Sequence, residues 1–254
     1  WRMPMTTRRG FLQFGGATAL ALVAAPRLLH LKAPSVHAQA IPGAPTFRGA
    51  AGTAVVGPVS LAAGITVLRA QHNGTGNFIV NTFVPNDGYS PADAFTQSQT
   101  TDNALVYDVI GSYKGGSVVV TALNAPYYLA VNASAAWQVS VEQPLPETVA
   151  ATQGTSFSSK GQDITPYFTL PDGIAQIALQ ADKSSAITGF LYHLDDLGGE
   201  AIQAGEMGHT GAIFFFNDPA NQVSYPINLP DDGPYVFFVT NDLHDTTAWT
   251  VSFA

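Results

Sequence analysis

The sequence contains no cysteine, and only 11% of its 254 residues are charged. Without thiols the chain has no disulfide framework, no cysteine-ligated zinc site and no cysteine nucleophile. The charged fraction is less than half of the globular norm of about 25%. An apolar content of 46%, with 11% aromatic residues, nevertheless excludes an intrinsically disordered chain. The length is sufficient for one large domain or two domains of ordinary size.

Positive charge is scarce beyond the first forty residues. Five of the ten Lys and Arg residues lie in residues 1–40 and none of the 18 Asp and Glu residues do, so the remaining chain has a formal charge of 5 minus 18, or −13. Such an acidic surface repels nucleic-acid phosphates and anionic lipid head groups. No later apolar run reaches the roughly 18 residues of a membrane span. We therefore predict no nucleic-acid partner and no membrane insertion once residues 1–40 are removed.

Residues 1–40 contain the three parts of a secretory signal in the usual order. Arg8 and Arg9 form the charged start, residues 15–25 form a short apolar stretch, and residues 38–40 form the small-x-small site that suits signal peptidase. The adjacent arginines and the Phe-Leu pair that follows resemble the twin-arginine export signal. We therefore predict a twin-arginine signal peptide and a protein exported to the periplasm, the cell envelope or the extracellular medium.

The chain beyond the signal contains an internal duplication at a spacing of 108 to 112 residues. Residues 126–141 and residues 234–253 share a Pro-Tyr segment, a loop, and a final Ala-Trp segment. Two shorter blocks upstream correspond in the same order, residues 61–65 with 170–174 and residues 104–107 with 212–215. The matched blocks predict two repeats, residues 41–141 and 155–254, with a linker over residues 142–154.

Alternation of apolar and polar residues indicates strands within each repeat. Residues 137–141 and 249–253 place an apolar side chain at every second position, which is typical of a half-buried strand. Turn sequences such as Asn73-Gly74 and Asp232-Gly233 recur at short intervals. These patterns predict an all-β chain: two tandem antiparallel β-sandwich domains of jelly-roll or immunoglobulin-like topology, related by the duplication.

Large aromatic residues occupy matched positions in the two repeats. Both copies have a Tyr that starts one apolar strand and a Trp that starts the next: Tyr127 and Trp137, then Tyr235 and Trp249. A β-sandwich needs large side chains to fill the space of about 10 Å between its sheets, so we predict that these four residues form the structural core. The alternative is that they stack on sugar rings. A sugar platform would more typically place aromatics on polar loops, where the weaker candidates are Tyr89, Tyr113 and Tyr225.

The ending that both repeats share, Pro-Tyr followed by a loop and Trp-x-Val, resembles the β-sandwich repeats of exported bacterial proteins. Examples are pre-peptidase C-terminal domains and carbohydrate-binding-like modules. The acidic strand associated with the pre-peptidase family has only a partial counterpart in residues 194–197. The resemblance therefore implies a β-sandwich fold and assigns no functional residue.

The sequence contains no serine-hydrolase elbow, metalloprotease helix, phosphate-binding loop or calcium loop. The second repeat nevertheless concentrates metal-binding residue types in two loops: His193, Asp195, Asp196, Asp242, His244 and Asp245. If these loops meet, carboxylates could bind Ca²⁺, or His with carboxylates could bind a transition metal. The alternative is that they are solvated loop residues and that the protein has no cofactor. No catalytic residue is assigned.

Three functional hypotheses follow. In the first, the protein is a non-catalytic exported binding module for a polysaccharide or a cell-surface protein. In the second, it is a structural or adhesive protein of the cell envelope, in which duplication supplies length and avidity. In the third, it is a hydrolase or metal-dependent enzyme with its site on the loops of the second repeat. The missing catalytic signatures favour the first two hypotheses over an enzyme.

Overall fold

The computed structural model describes residues 44–145, 156–182, 187–194, 214–216, 222–229, 232–241 and 247–254. The predicted signal peptide and most of the predicted linker lie outside these residues. Strands dominate the described chain, and its helix α1 (Pro91–Thr96) has only six residues. None of the described helical segments is long and apolar enough to cross a bilayer.

The first repeat contains eight strands that form two four-stranded antiparallel sheets, in the orders β1-β8-β3-β6 and β2-β7-β4-β5. This is the strand order of a jelly roll. We call this unit the first sandwich. Its strands are β1 (Thr46–Gly49), β2 (Gly52–Leu61), β3 (Gly64–His72), β4 (Asn77–Pro85), β5 (Thr100–Ile110), β6 (Tyr113–Thr121), β7 (Ala125–Ala133) and β8 (Trp137–Glu142).

The second repeat has the same topology and is called the second sandwich. Its strands are β9 (Ser156–Lys160), β10 (Asp163–Ile164), β11 (Phe168–Leu170), β12 (Gly173–Ala181), β13 (Ile187–His193), β14 (Phe214–Phe216), β15 (Gln222–Leu229), β16 (Gly233–Asn241) and β17 (Ala248–Phe253). One sheet has the order β15-β12-β17-β9, and the other has β10-β16-β13-β14, with β11 also paired to β16. Strands β10 and β11 together thus take the place of β2. The predicted tandem β-sandwich fold is confirmed, and its topology is jelly-roll.

Three apolar clusters stack the four sheets face to face. One lies inside the first sandwich and one inside the second. The third lies between the sandwiches and joins sheet β1-β8-β3-β6 to sheet β10-β16-β13-β14. We call it the inter-sandwich core: Ile65, Val67, Val118, Ile164, Tyr167, Tyr192, Leu194, Val236 and Phe238. Both sandwiches belong to one compact unit, and the division into separable domains stays a prediction.

The inter-sandwich core explains a difference between two strands whose sequences look alike. In β17, alternate residues are exposed or half-buried, as expected for a strand with one face in water. In β8, all residues except Gln138 are buried, including Ser140 and Glu142. Strand β8 lies in an inner sheet whose second face is covered by the other sandwich. Periodicity within the strand does not reveal that cover.

The matched aromatic residues are deeply buried. Tyr127, Trp137, Tyr235 and Trp249 are 2%, 4%, 0% and 2% exposed. The two indoles differ in their hydrogen bonding. The Trp249 Nε1–H donates to the Gly161 carbonyl at 2.9 Å, whereas the buried Trp137 Nε1–H has no hydrogen-bond partner in the described chain.

Replacement of either indole by alanine should lower the free energy of unfolding by about 3–5 kcal/mol, the usual cost of a buried aromatic truncation. Phenylalanine variants distinguish the hydrogen-bonded indole from the one without a partner. Trp249→Phe loses a buried hydrogen bond, while Trp137→Phe removes a donor that has no partner, so Trp249→Phe should be more destabilising by about 1 kcal/mol. Urea unfolding followed by circular dichroism measures both. The opposite ranking would contradict the hydrogen-bond assignment.

Cleavage of the linker should leave the two sandwiches associated, because separation would expose Val67 and Val236, both 0% exposed, to water. A protease site inserted in residues 146–155 allows the folded chain to be cut and analysed by size-exclusion chromatography. The two fragments should co-elute. Val67→Asp should release them, whereas Ile174→Asp, at a position 85% exposed, should not. Immediate separation of the unmodified fragments would show that the contact is weak.

Candidate functional site

Of the six predicted metal ligands, only His193 lies within the described residues. It ends strand β13, pairs with Tyr235 across the sheet, and is 5% exposed. Its ring centroid lies 4.7 Å from that of Tyr235, so it packs against the aromatic core of the second sandwich. Over the part of the chain that the structure describes, no three His, Cys, Asp or Glu residues form a group that could hold a metal ion. Asp195, Asp196, Asp242, His244 and Asp245 lie outside it, and the metal site stays a prediction.

A buried polar cluster lies between the two sandwiches. Arg69 Nε forms an ion pair with Glu142 Oε1 at 3.1 Å, and the Glu142 side chain is fully buried. The Tyr167 hydroxyl of the second sandwich donates to Glu142 Oε2 at 3.3 Å. Asp163 of the second sandwich accepts from the Gly116 N–H of the first at 2.8 Å. Directional bonds of this kind fix how one sheet sits on the other.

Burial raises the pKa of Asp163 above its usual value, although hydrogen bonds from Ser159, Ile164 and Gly116 act in the opposite direction. Burial likewise raises the pKa of Tyr113. The Tyr113 hydroxyl donates to the Gln162 carbonyl at 2.9 Å, so this tyrosine spans the two sandwiches and is no exposed sugar platform. Glu142 and Asp163 of the cluster are buried while Arg69 is 15% exposed, and the bonds of the cluster join the two sandwiches.

The outer face of sheet β2-β7-β4-β5 is the described surface best suited to a ligand. Alternation along the strands and the pairing registers place two rows of side chains on it. We call this surface the open face. One row is Thr53, Asn132, Ile79 and Asp108, the next is Val55, Ala130, Asn81 and Leu105, and Tyr128 lies beyond them. Thr53, Asn132 and Leu105 are exposed, the last at 59%.

Helix α1 borders the open face at one end. Ser90 caps the helix by accepting from the Asp93 N–H, and Pro91 occupies its first turn, where a missing N–H is tolerated. Phe95 of the helix lies over Phe83 of β4, with ring centroids 5.2 Å apart. The helix and Tyr128 thus form an aromatic wall, because the Phe83 ring is also 6.1 Å from that of Tyr128.

The open face has a buried counterpart in the second sandwich. When Tyr127 is matched with Tyr235, the strand registers match Ala130 with Phe238 and Asn81 with Phe190. Phe190 and Phe238 stack on each other at 5.9 Å within the contact between the sandwiches. The first sandwich therefore carries an amide and a small side chain where the second carries two aromatic rings. The face of the second sandwich packs against the first sandwich, whereas the equivalent face of the first carries the half-buried Asn81 and the small, buried Ala130.

Sequence analysis did not identify the open face because its residues come from four strands that are distant in the chain. One signal could have found it. The apolar pair Phe190 and Phe238 differs from Asn81 and Ala130 at matched positions of the duplication, and such a difference in an otherwise repeated pattern marks a surface with a different environment.

No protein-family model matches the chain, and no curated protein matches its sequence. Among solved structures, the chain is similar to Aeromonas hydrophila PliG, a periplasmic lysozyme inhibitor of g-type lysozyme, at 19% identity and a TM-score of 0.24, over 42% of this chain and 93% of that one. The tandem CBM22-1-CBM22-2 domain of Paenibacillus barcinonensis Xyn10C matches at 9% identity and a TM-score of 0.23, over 82% and 81% of the two chains. PNGF-II matches at 8% identity and a TM-score of 0.20, over 82% and 59%. At such low scores no property of these proteins is transferred to this chain.

Asp163 should make stability depend on pH. Because its pKa is raised in the folded chain, the folded state binds the proton more tightly, and the free energy of unfolding should fall as pH rises from about 4 through the raised pKa. Asp163→Asn keeps an oxygen for the Gly116 and Ile164 N–H groups and removes the ionisation, so this slope should flatten. Urea unfolding at pH values from 4 to 7 measures it, with the exposed Asp87→Asn as control. If the slope is unchanged in Asp163→Asn, another ionisable group causes the pH dependence.

Proposed function

We propose that the protein is an exported binding module that takes an uncharged polysaccharide on the open face of its first sandwich. The observation that carries the proposal is the difference between equivalent faces. The second sandwich packs its face against the first sandwich through Phe190 and Phe238, and the first sandwich carries the half-buried Asn81 and the buried Ala130 at the matched positions. The open face has the same strand topology as the packed face of the second sandwich but no aromatic pair, and such a face suits a polar ligand.

The chemistry of the open face matches that of sugars. Sugar hydroxyl groups both donate and accept hydrogen bonds, and the amides of Asn81 and Asn132 do the same. The C–H faces of sugar rings are apolar, and the face offers Tyr128, Val55 and Leu105 for contact with them. Along each of the four strands one row has a polar side chain where the other has an apolar one, and neighbouring strands lie about 4.8 Å apart, so an extended chain of sugars could contact several of both kinds.

Charge narrows the ligand class. Asp108 is the single charged residue among those that define the open face. A lone carboxylate repels polyanions such as phosphate-bearing polymers and offers nothing to balance them. An uncharged polysaccharide is therefore favoured over an anionic one.

Export brings such ligands within reach. The predicted twin-arginine signal over residues 1–40 would deliver the folded chain to the cell envelope or beyond, where polysaccharides are abundant. The signal lies outside the described residues, so export is part of the proposal. A surface protein as ligand, or a purely adhesive role, would leave the protein undepleted by the uncharged polymers of the following experiment.

Binding is tested by depletion of the purified protein from solution by two insoluble uncharged polymers, cellulose and chitin, with peptidoglycan, which carries carboxylates, as the anionic comparison. We expect Asn81→Ala and Tyr128→Ala each to weaken binding to the polymer that depletes the unmodified protein by about tenfold. This corresponds to the loss of one contact worth about 1.4 kcal/mol. Thermal unfolding should show that both variants remain folded.

The matched control is Gln180→Ala. Gln180 is exposed on the outer face of sheet β15-β12-β17-β9, away from the open face. This variant should bind as the unmodified chain does. If neither cellulose nor chitin depletes the protein from solution, the proposed uncharged polysaccharide ligand is wrong. If a polymer binds the unmodified chain and both open-face variants equally well, the assignment of the site to the open face is wrong.

A further inference from the structure

A serine and a histidine are hydrogen-bonded at one end of the first sandwich, outside the open face. The Ser134 Oγ lies 3.2 Å from the Nε2 of His72. His72 is the last residue of β3, and Ser134 directly follows β7. Ser134 is exposed, whereas His72 is fully buried. The pair therefore joins a solvent-exposed serine to a buried imidazole by a hydrogen bond.

The hydrogen bonds of His72 define its tautomer. The Nδ1 atom lies 2.8 Å from the Gly111 carbonyl oxygen, and since a carbonyl oxygen can only accept, Nδ1 carries the proton. In the neutral ring Nε2 is then the acceptor. The Ser134 hydroxyl must consequently donate to Nε2, which is the arrangement required for a general base that removes the serine proton.

The surroundings hold both groups in place. The His72 ring stacks on Phe78 with centroids 5.0 Å apart and an interplanar angle of 7°. The Gly76 N–H donates to Ser134 Oγ at 3.0 Å and so fixes the position of that oxygen beside the imidazole. A Cβ at Gly74 would lie 2.5 Å from Ser134 Oγ and 2.6 Å from His72 Nε2. The loop at Gly74 therefore packs directly against the pair.

The jelly-roll fold does not require this histidine. His72 pairs with Trp137, and the residue that pairs with Trp249 at the equivalent position of the second sandwich is Ala181. The second sandwich forms its sheets and buries its indole with a methyl group at this position. The imidazole is therefore an addition to one copy of a duplicated structure.

We infer that Ser134 is an activated serine that accepts acyl groups from short-chain esters, with His72 as its base. The Oγ lone pair attacks the acyl carbon, and the Oγ proton passes to His72 Nε2. The bond from the acyl carbon to the leaving oxygen breaks, and that oxygen takes the proton from Nε2 and departs as an alcohol. Because Gly74 and Gly76 pack closely against the pair, we expect only a short acyl group to reach Oγ.

Water completes the reaction by the reverse sequence. A water molecule gives its proton to Nε2 while its oxygen bonds to the acyl carbon. The bond between that carbon and Oγ then breaks, and Oγ regains the proton from Nε2. The products are a carboxylic acid and the original serine, with no oxidant or reductant involved. This activity is independent of polysaccharide binding on the open face.

The absence of cysteine allows a clean test with a single introduced thiol. Ser134→Cys places the thiol beside His72, and Ser112→Cys places it at an exposed position in the neighbouring turn between β5 and β6. We expect iodoacetamide to alkylate Ser134→Cys at least tenfold faster than Ser112→Cys at pH 7, with the midpoint of its pH–rate profile below the ordinary thiol value of about 8.5.

The double variant His72→Asn with Ser134→Cys should lose this advantage. Asparagine keeps an amide donor for the Gly111 carbonyl and provides no base at the position of Nε2. Circular dichroism of each variant reports whether the fold is retained. If Ser134→Cys reacts no faster than Ser112→Cys, or if its advantage survives in the double variant, the hydrogen bond is structural only and the inference is overturned.

Acyl transfer is measured directly on the unmodified chain with p-nitrophenyl acetate. Mass spectrometry of peptides should locate one acetyl group on the peptide that contains Ser134, and p-nitrophenol should be released. Ser134→Ala should abolish that labelled peptide, whereas Ser112→Ala should retain it. Acetylation confined to lysine side chains, with no change in Ser134→Ala, would exclude Ser134 as the acceptor.

Discussion

The apolar contact between the two sandwiches is the constraint on which the rest of the structure depends. Val67 and Val236 are fully buried in it, so two of the four sheets are covered on both faces. A polar group in such a layer must find its partner within the protein. Arg69 and Glu142 do so through an ion pair, and Asp163 does so through the backbone of the opposite sandwich. The same contact explains why β8 is buried on both sides although its sequence resembles that of β17.

The contact joins different faces of the two copies. The first sandwich contributes sheet β1-β8-β3-β6, and the second contributes the sheet that contains β13 and β16. A contact between unlike faces could in principle repeat without closing. The open face, which is the counterpart of the buried face of the second sandwich, carries Asn81 and Ala130 in place of Phe190 and Phe238. Without the aromatic pair, this face lacks the rings that the second sandwich uses in its contact with the first.

The sequence predicted the fold better than the sites. Alternation in residues 137–141 and 249–253 is a local property, and the two matched aromatic pairs marked the duplication, so two tandem β-sandwiches could be derived without coordinates. The hypothesis of a metal site depended on loops of which only His193 lies in the described part of the chain. The open face and the bond between His72 and Ser134 were not found, because each brings together residues from strands that are far apart in sequence. Pairing registers decide such neighbours, and single-sequence patterns do not contain them.

Sequence by itself determined that the chain is all-β, that it is duplicated, and that it lacks every chemistry which depends on a thiol. These properties follow from composition, periodicity and repeated sequence blocks, none of which depends on contacts between distant segments. Tertiary structure alone decided the jelly-roll order of the strands, the stacking of one sandwich on the other, and the contrast between a buried face and an open one. It also brought an exposed serine to a buried imidazole. Each of these depends on contacts between segments that fold together only when apolar surface is removed from water.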